Sequence, residues 1–278
     1  MSYRDILVQI DETAESKARA AVASALAVRS QAFLSGVFLK SYFLHNYMPG
    51  EAVVFLSPTD IEALLQGHDA AVTKAAEAAR ATFEAAAGEA GVVSDWRVIG
   101  GDTDDALLAC ARRSDLTILP PAVDVSFGRH RITAGGLGLA AGGPVLVVPP
   151  DSAGAAIGKR VLIAWNGSRE SGRALRDAWP LVRSAEQVHV LVVSPHGEGG
   201  PDGQLQRHLE HHGCKAELIV DRSDDASAAD ILRRQVAALG ADLVVMGLYG
   251  RSRLQELVLG GVSRDLMRDP PAALFLSH

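Results

Sequence analysis

The chain has 278 residues, 48% of them apolar and 22% charged, the make-up of a globular protein with room for one large domain or two small ones. Its net charge of −6 is spread along the sequence and not gathered in a tail, which argues against a nucleic-acid surface and against adhesion to anionic membranes. Two cysteines, Cys110 in ALLACARR and Cys214 opening CKAELIV, are too few for a disulfide framework or a thiolate metal cage, and both are expected to be buried, reduced thiols.

In chain order, MSYRDILVQID enters a strand directly, with no basic segment followed by an apolar one, and no apolar run approaches the roughly 20 residues of a membrane span. The expectation is a cytoplasmic protein. After a second strand comes a long connection, an insertion around 41–60, which leads into an alanine-rich helix from about Asp60 to Ala87. The strand DLTILPP (Asp115 to Pro121) and the segment AGGLGLAAGGPVLVVP complete this half. The linker PPDSAGAAIG, small and polar with two prolines, marks the cut between a domain at 1–152 and another at 158–278. Next come the strand KRVLIAW, a helix from about Arg169 to Ser184, the strand QVHVLVVS and a short helix around Leu205 to His212. The strand KAELIVD, a helix Ala226 to Leu239, the strand DLVVMG, a helix Leu254 to Met267 and the strand AALFLS close the chain.

The two halves repeat one another. DILVQIDETAES aligns without a gap on RVLIAWNGSRES, so that Asp11 falls on Asn166 at an offset of 155, and DLTILPP aligns on DLVVMGL. Short runs rich in Val, Ile and Leu alternate with stretches of helical period, which is the pattern of a parallel sheet covered on both faces. The fold class is therefore α/β: two tandem domains, each a five-stranded parallel sheet. Such units bind ligands beyond the carboxyl ends of their strands, beside strand one. In the second half those ends are Trp165-Asn166, Val193-Ser194 and Met246-Gly247.

The stretch MGLYGRSRLQELVLGGVSRDL lies at that place. Gly247 and Gly250 leave the backbone bare, Gly260 and Gly261 offer amides near a helix end, Ser263 adds a hydroxyl, and Arg251, Arg253 and Arg264 supply positive charge. All of these suit a polyphosphate. Together, the strand-one pattern I-L-V-x-x-D-x-x-x-x-S, D-L-V-V-M-G at strand four, and G-x-x-G followed after nine residues by G-[S/T]-x-[S/T] resemble the universal stress protein family, here in tandem over nearly the whole chain. The resemblance implies a Rossmann-like, adenine-nucleotide alpha-hydrolase-like domain whose strand five pairs antiparallel across a twofold or pseudo-twofold interface. It further implies binding of ATP, with Mg²⁺, in some members. Carried over residue by residue, Ala164, Trp165 and Asn166 would serve the adenine and ribose, with Val193 at the base edge. Met246, Gly247 and Gly250 would line the ribose and α-phosphate, Gly260, Gly261, Val262 and Ser263 the remaining phosphates, and Arg251 would balance charge.

Two departures weaken the match: Asn166 replaces an acidic residue, and Gly261 replaces a hydroxyl residue, a loss of roughly 1 kcal/mol for one ordinary hydrogen bond. In the first half, Pro120-Pro121 stand where the second has Gly247-Leu248, and Gly135, Gly136 and Gly138 lack the hydroxyl; no nucleotide is expected there. Gly136-x-Gly138-x-x-Ala141 precedes a last strand, not a helix after a first strand, so it does not read as a dinucleotide fingerprint. His208 and His212 have the i, i+4 spacing of metal ligands but no evident third partner, and a solvated helix face is expected. No G-x-S-x-G or H-x-G-H signature is present. Asp102, Asp104 and Asp105, like Asp221, Asp224 and Asp225, precede helices and are expected to cap them. Without a general base or nucleophile near the loop, the expected role is regulation or sensing in a stress response, with an intramolecular pseudo-dimer of the two domains and room for a homodimer of the whole chain. The alternatives are a nucleotide-free interaction module and, more remotely, a slow ATP hydrolase or transferase.

Overall fold

The computed structural model describes residues 2–40, 57–100, 104–124, 131–150, 152, 157–194, 203–248 and 261–278. The first half runs β1 (Asp5–Gln9), α1 (Ser16–Ser30), β2 (Phe33–Lys40), α2 (Pro58–Ala90), β3 (Ser94–Gly100), α3 (Asp104–Ala111) and β4 (Leu116–Leu119). It continues through β5 (Ala122–Asp124), β6 (Arg131–Thr133), α4 (Ala134–Ala141) and β7 (Val145–Val147). The second half runs β8 (Arg160–Ala164), α5 (Arg169–Asp177), α6 (Trp179–Val182), β9 (Gln187–Val193), α7 (Gly203–His211) and β10 (Ala216–Asp221). It ends with α8 (Ala228–Leu239), β11 (Leu243–Gly247), α9 (Val262–Arg268) and β12 (Ala273–Ser277).

Ten strands form one sheet in the order β10-β9-β8-β11-β12-β7-β4-β1-β2-β3. Within each half the pairing is parallel. Where the halves meet, β12 pairs antiparallel with β7, Leu274 opposite Val147, Phe275 opposite Leu146 and Leu276 opposite Val145. The pairing of last strands expected between domains therefore occurs inside one chain, and neither strand is left as an edge. Its antiparallel sense has a geometric result: the carboxyl ends of the two halves' strands lie at opposite ends of the sheet.

Side chains alternate across the sheet, and so there are two cores. One gathers Ile6, Val8, Phe38 and Phe83 with Val161, Trp179, Leu209 and Phe275 beneath α1, α2, α5, α6 and α7. The other gathers Leu7, Leu107 and Leu137 with Leu162, Ile231, Met246 and Leu266 beneath α3, α4, α8 and α9. A contact also crosses the seam between halves, the Tyr3 hydroxyl donating to the Asp177 carbonyl at 2.7 Å, and Arg29 Nη1 ties down the linker by donating to the Ile157 carbonyl at 3.1 Å.

Local chemistry explains where the elements depart from the sequence reading. The helix expected over Arg169 to Ser184 is split, because Pro180 has no N–H to give to the carbonyl four residues back; α5 stops at Asp177 and a short turn, α6, follows. The alanine-rich helix is longer than expected. Ser57 and Asp60 form a reciprocal capping box at its start, and Gly91 ends it in the left-handed region at φ 68°. The hairpin of β5 and β6 after Pro120-Pro121 was not foreseen. Nor is α8 capped by Asp224 or Asp225: the Ser227 hydroxyl accepts the Asp230 N–H, while Asp221 accepts the Ser223 N–H at 2.9 Å and lies 3.6 Å from Arg234. Asp102 lies outside the described residues. Cys214 is buried as expected, Cys110 only partly so, and neither is in a disulfide. Among the described residues no helix is long and apolar enough to cross a membrane.

Candidate functional site

In the second half the strand order β9-β8-β11-β12 changes direction between β8 and β11. The helix after β8, α5, lies on one face of the sheet, and α9, after β11, lies on the other. A crevice between the two carboxyl ends is the consequence. Ala164 pairs laterally with Met246 on one side and Leu191 on the other, and Val193 ends the next strand. Ala164, Val193 and Met246 all belong to the α8/α9 face, as does Val262. At a strand spacing of about 4.8 Å the floor they make spans about 10 Å. Ala164 is its smallest member, half-buried beside Met246.

The other expected residues are distributed unevenly. Trp165 turns its ring to the opposite face, where it comes within 4.0 Å of a Cβ built on Gly172 of α5, and its N–H is bound to the Leu191 carbonyl at 2.9 Å. Asn166 is exposed, and its Oδ1 accepts the Ser168 N–H at 3.1 Å, an Asx turn that leads into α5. Gly247 is required by packing: a Cβ there would stand 2.6 Å from the Glu170 carbonyl carbon and 2.7 Å from the Ser171 nitrogen, so the first turn of α5 fills the space. Gly261 and Ser263 are buried at the start of α9. Gly250, Arg251, Arg253 and Gly260 lie outside the described residues.

Two groups at this end of the sheet gave no signal in the sequence, because they come together only through the fold of β12 beside β11. His278 Nδ1 lies 3.0 Å from the Leu248 carbonyl, and its Nε2 lies 3.3 Å from Arg169 Nη2. Guanidinium only donates, so Nε2 accepts and Nδ1 carries the proton to Leu248.

The corresponding end of β1 is built from larger, charged residues. Gln9, Asp11 and Arg19 stand at the positions of Ala164, Asn166 and Ala174. Arg19, 1% exposed, donates through Nε to the Gln9 carbonyl at 2.6 Å. Its Nη2 lies 3.2 Å from Gln9 Oε1, 2.9 Å from Asp11 Oδ2 and 2.8 Å from Ser16 Oγ. Asp11 Oδ1 accepts the Thr13 N–H at 3.0 Å, the Ser16 hydroxyl at 2.7 Å and the Thr13 hydroxyl. Burial alone would raise the Asp11 carboxyl; the Arg19 guanidinium and the hydrogen bonds from Thr13 and Ser16 outweigh it and hold the group below its ordinary range. Pro120 and Pro121 follow β4 at the positions of Gly247 and Leu248. Among the described residues no three His, Cys, Asp or Glu side chains are grouped as metal ligands.

Comparison with known proteins agrees with this architecture. Residues 158–276 match the model of the universal stress protein family. No curated protein sequence matches the chain. In fold it is similar to a universal stress protein from Archaeoglobus fulgidus DSM 4304, 14% identical, over 98% of this chain and 96% of that one at a TM-score of 0.74. It is also similar to a putative universal stress protein from Pseudomonas aeruginosa UCBPP-PA14, 15% identical, over 99% and 93% at a TM-score of 0.57. Residues 158–276 thus match the universal stress protein family, and over nearly its whole length the chain has the fold of the Archaeoglobus fulgidus universal stress protein.

Proposed function

We propose that the crevice of the second half binds an adenine nucleotide, ATP foremost, and that the protein acts in the cytoplasm as a nucleotide-responsive regulator of a stress response and not as a turnover enzyme. One observation carries the reading. Ala164 and Met246 lie side by side at the strand ends with Val193 two residues beyond the Leu191 neighbour on the same face, and Ala164 and Ala174 stand where the first half puts Gln9 and Arg19. In this reading the base rests on that floor and Asn166 faces the ribose. The phosphates run toward Gly261, Val262 and Ser263 and toward Gly247, Gly250, Arg251 and Gly260. Magnesium would arrive with the phosphates, since the amide of Asn166 brings no charge to hold it. The first half, with its strand end filled, takes no nucleotide and serves as the fixed partner of the pseudo-dimer.

Equilibrium titration of the full chain with Mg-ATP tests this. The expected result is one saturable site per chain. Ala164→Gln, which gives the second half the residue of the first, is expected to weaken binding about tenfold or more, a loss of about 1.4 kcal/mol. Absence of uptake at millimolar Mg-ATP, or binding that Ala164→Gln leaves unchanged, would refute it.

A further inference from the structure

The sheet ends at β3, whose seven residues pair with β2 on one side and have no strand on the other among the described residues. An uncovered edge of that length is a template for another strand unless something opposes pairing. The Leu34 N–H donates to the Val93 carbonyl at 3.1 Å, and alternation along the ladder turns the main-chain groups of Asp95, Arg97 and Ile99 toward β2. Those of Ser94, Trp96 and Val98 then point outward.

From this we infer that the β3 edge is a self-association surface, on which a second copy of this chain pairs antiparallel about a twofold axis at Trp96. The charges choose the occupant and the register. A twofold pairing places Trp96 opposite Trp96, Ser94 opposite Val98, and Asp95 opposite Arg97 of the second copy, in both directions. Within one chain Arg97 already reaches Asp95, with Nε at 2.8 Å and Nη2 at 2.7 Å from Oδ2. The two pairs would close into a ring of four charges of alternating sign on one face of the joined sheet. Moving the axis to Asp95 sets Asp95 against itself; moving it to Arg97 sets two arginines together. Like charges directly opposite oppose pairing, so the register at Trp96 is favoured over both. In that register Val93, 73% exposed, comes opposite Ile99 of the second copy. Val93 also borders an apolar cleft of about 400 Å³ lined by Ala27, Val28, Phe33 and Val92, which the same contact would begin to cover.

The other edge, β10, is less suited to itself. By the same alternation the register that sets Lys215 against Asp221 leaves Glu217 opposite Ile219, and Asp221 is already engaged by Ser223 and Arg234.

Sedimentation equilibrium of the full chain reads this directly. A dimer is expected whose dissociation constant rises about tenfold or more with Arg97→Asp, because two attractions become two repulsions. The exchange Asp95→Arg with Arg97→Asp restores the alternation and should return the constant to within a few-fold of wild type. Val98→Pro removes an outward N–H without touching the β2 ladder and should also yield monomer, with the far-UV spectrum of the native chain. A wild-type chain that stays monomeric at every concentration, or a dimer indifferent to both Arg97→Asp and Val98→Pro, would overturn the inference.

Discussion

The ends of β1 and β8 correspond at an offset of 155 residues, yet they hold opposite chemistry. In both, an Asx side chain accepts a backbone N–H two residues on and a hydroxyl residue lies in the first turn of the helix. The first half adds a buried guanidinium that draws Gln9, Asp11 and Ser16 together, so that the strand end satisfies itself. In the second half the positions of Gln9, Asp11 and Arg19 hold alanine, asparagine and alanine, and no such network can form from them. In the proposed reading the end that holds its own cation takes no ligand, and the end built from small neutral residues takes one. At these two strand ends the difference is carried by three side chains and by the turn itself, in which Gly167 takes φ 71° where Glu12 stays at negative φ.

The largest expected effect comes from breaking the filled end. Asp11→Asn copies the second half at one position but strands Arg19 in the interior, and should cost about 3 kcal/mol in urea unfolding with an unchanged m-value. The double variant Asp11→Asn with Arg19→Ala removes the charge as well as its partner and should recover most of that loss. The same pair sets an acid limb. The carboxyl of Asp11 lies below its ordinary value of 3.8 in the folded state, so its contribution is complete above that pH and is lost as pH falls through the folded value. In Asp11→Asn the limb below pH 3.8 should flatten.

Gly247 sharpens the comparison from the other side. Its counterpart is Pro120, a residue that already carries a Cβ, whereas Gly247 has no room for one. Gly247→Ala would drive a methyl into the backbone of Glu170 and Ser171 and should cost about 1–3 kcal/mol in protein free of any nucleotide. If its whole effect appears only as lost nucleotide affinity, the packing account of this glycine fails.

How much of this was legible in the sequence follows from the range of each interaction. Alternation of apolar runs fixed the strands, their parallel sense and the repeat, because these depend on local period and on chain order. The pairing of β7 with β12 was reachable through the family resemblance. Val193 and Met246 were named from strand ends and Ala164 through the family resemblance; the three lie on one face of the sheet, since a parallel sheet brings its carboxyl ends together whatever the loops do. The inward facing of Trp165 was within reach of the same alternation, which puts successive residues on opposite faces. The Arg19 network was not, since the arginine reads as one more charged residue in a helix until α1 is docked. Arg169 with His278 escaped for the same reason, being 109 residues apart. Pro120-Pro121 suggested a blocked backbone, but the hairpin that follows them is a tertiary matter.

A smaller contrast separates the helices that cover β2 and β9. In the first half, α2 presses Phe83 to Trp96 at 5.5 Å between ring centroids, and Gly36 opens the space: a Cβ there would lie 2.8 Å from both rings. No group in that contact titrates. In the second half, Trp179 stacks on His212 at 4.4 Å, and His212 meets His208 at 4.7 Å. Burial, then the neighbouring His212, His211 and Arg176, push the His208 imidazole below its ordinary 6.5. A depressed histidine stabilises the fold in full above that value and ceases to do so as pH falls through its folded one. Docking of α7 should therefore weaken below pH 6.5, by less than about 1 kcal/mol because the ring is largely exposed and water screens it. Hydrogen exchange resolves the two helices in one experiment. Amides of 203–211 should exchange faster at pH 5.5 than at pH 7.5 after correction for intrinsic rates, those around Phe83 should not, and His208→Gln should remove the difference. Equal acceleration at both places would mean that acid acts on the whole sheet and that the stacked histidines have no part in it.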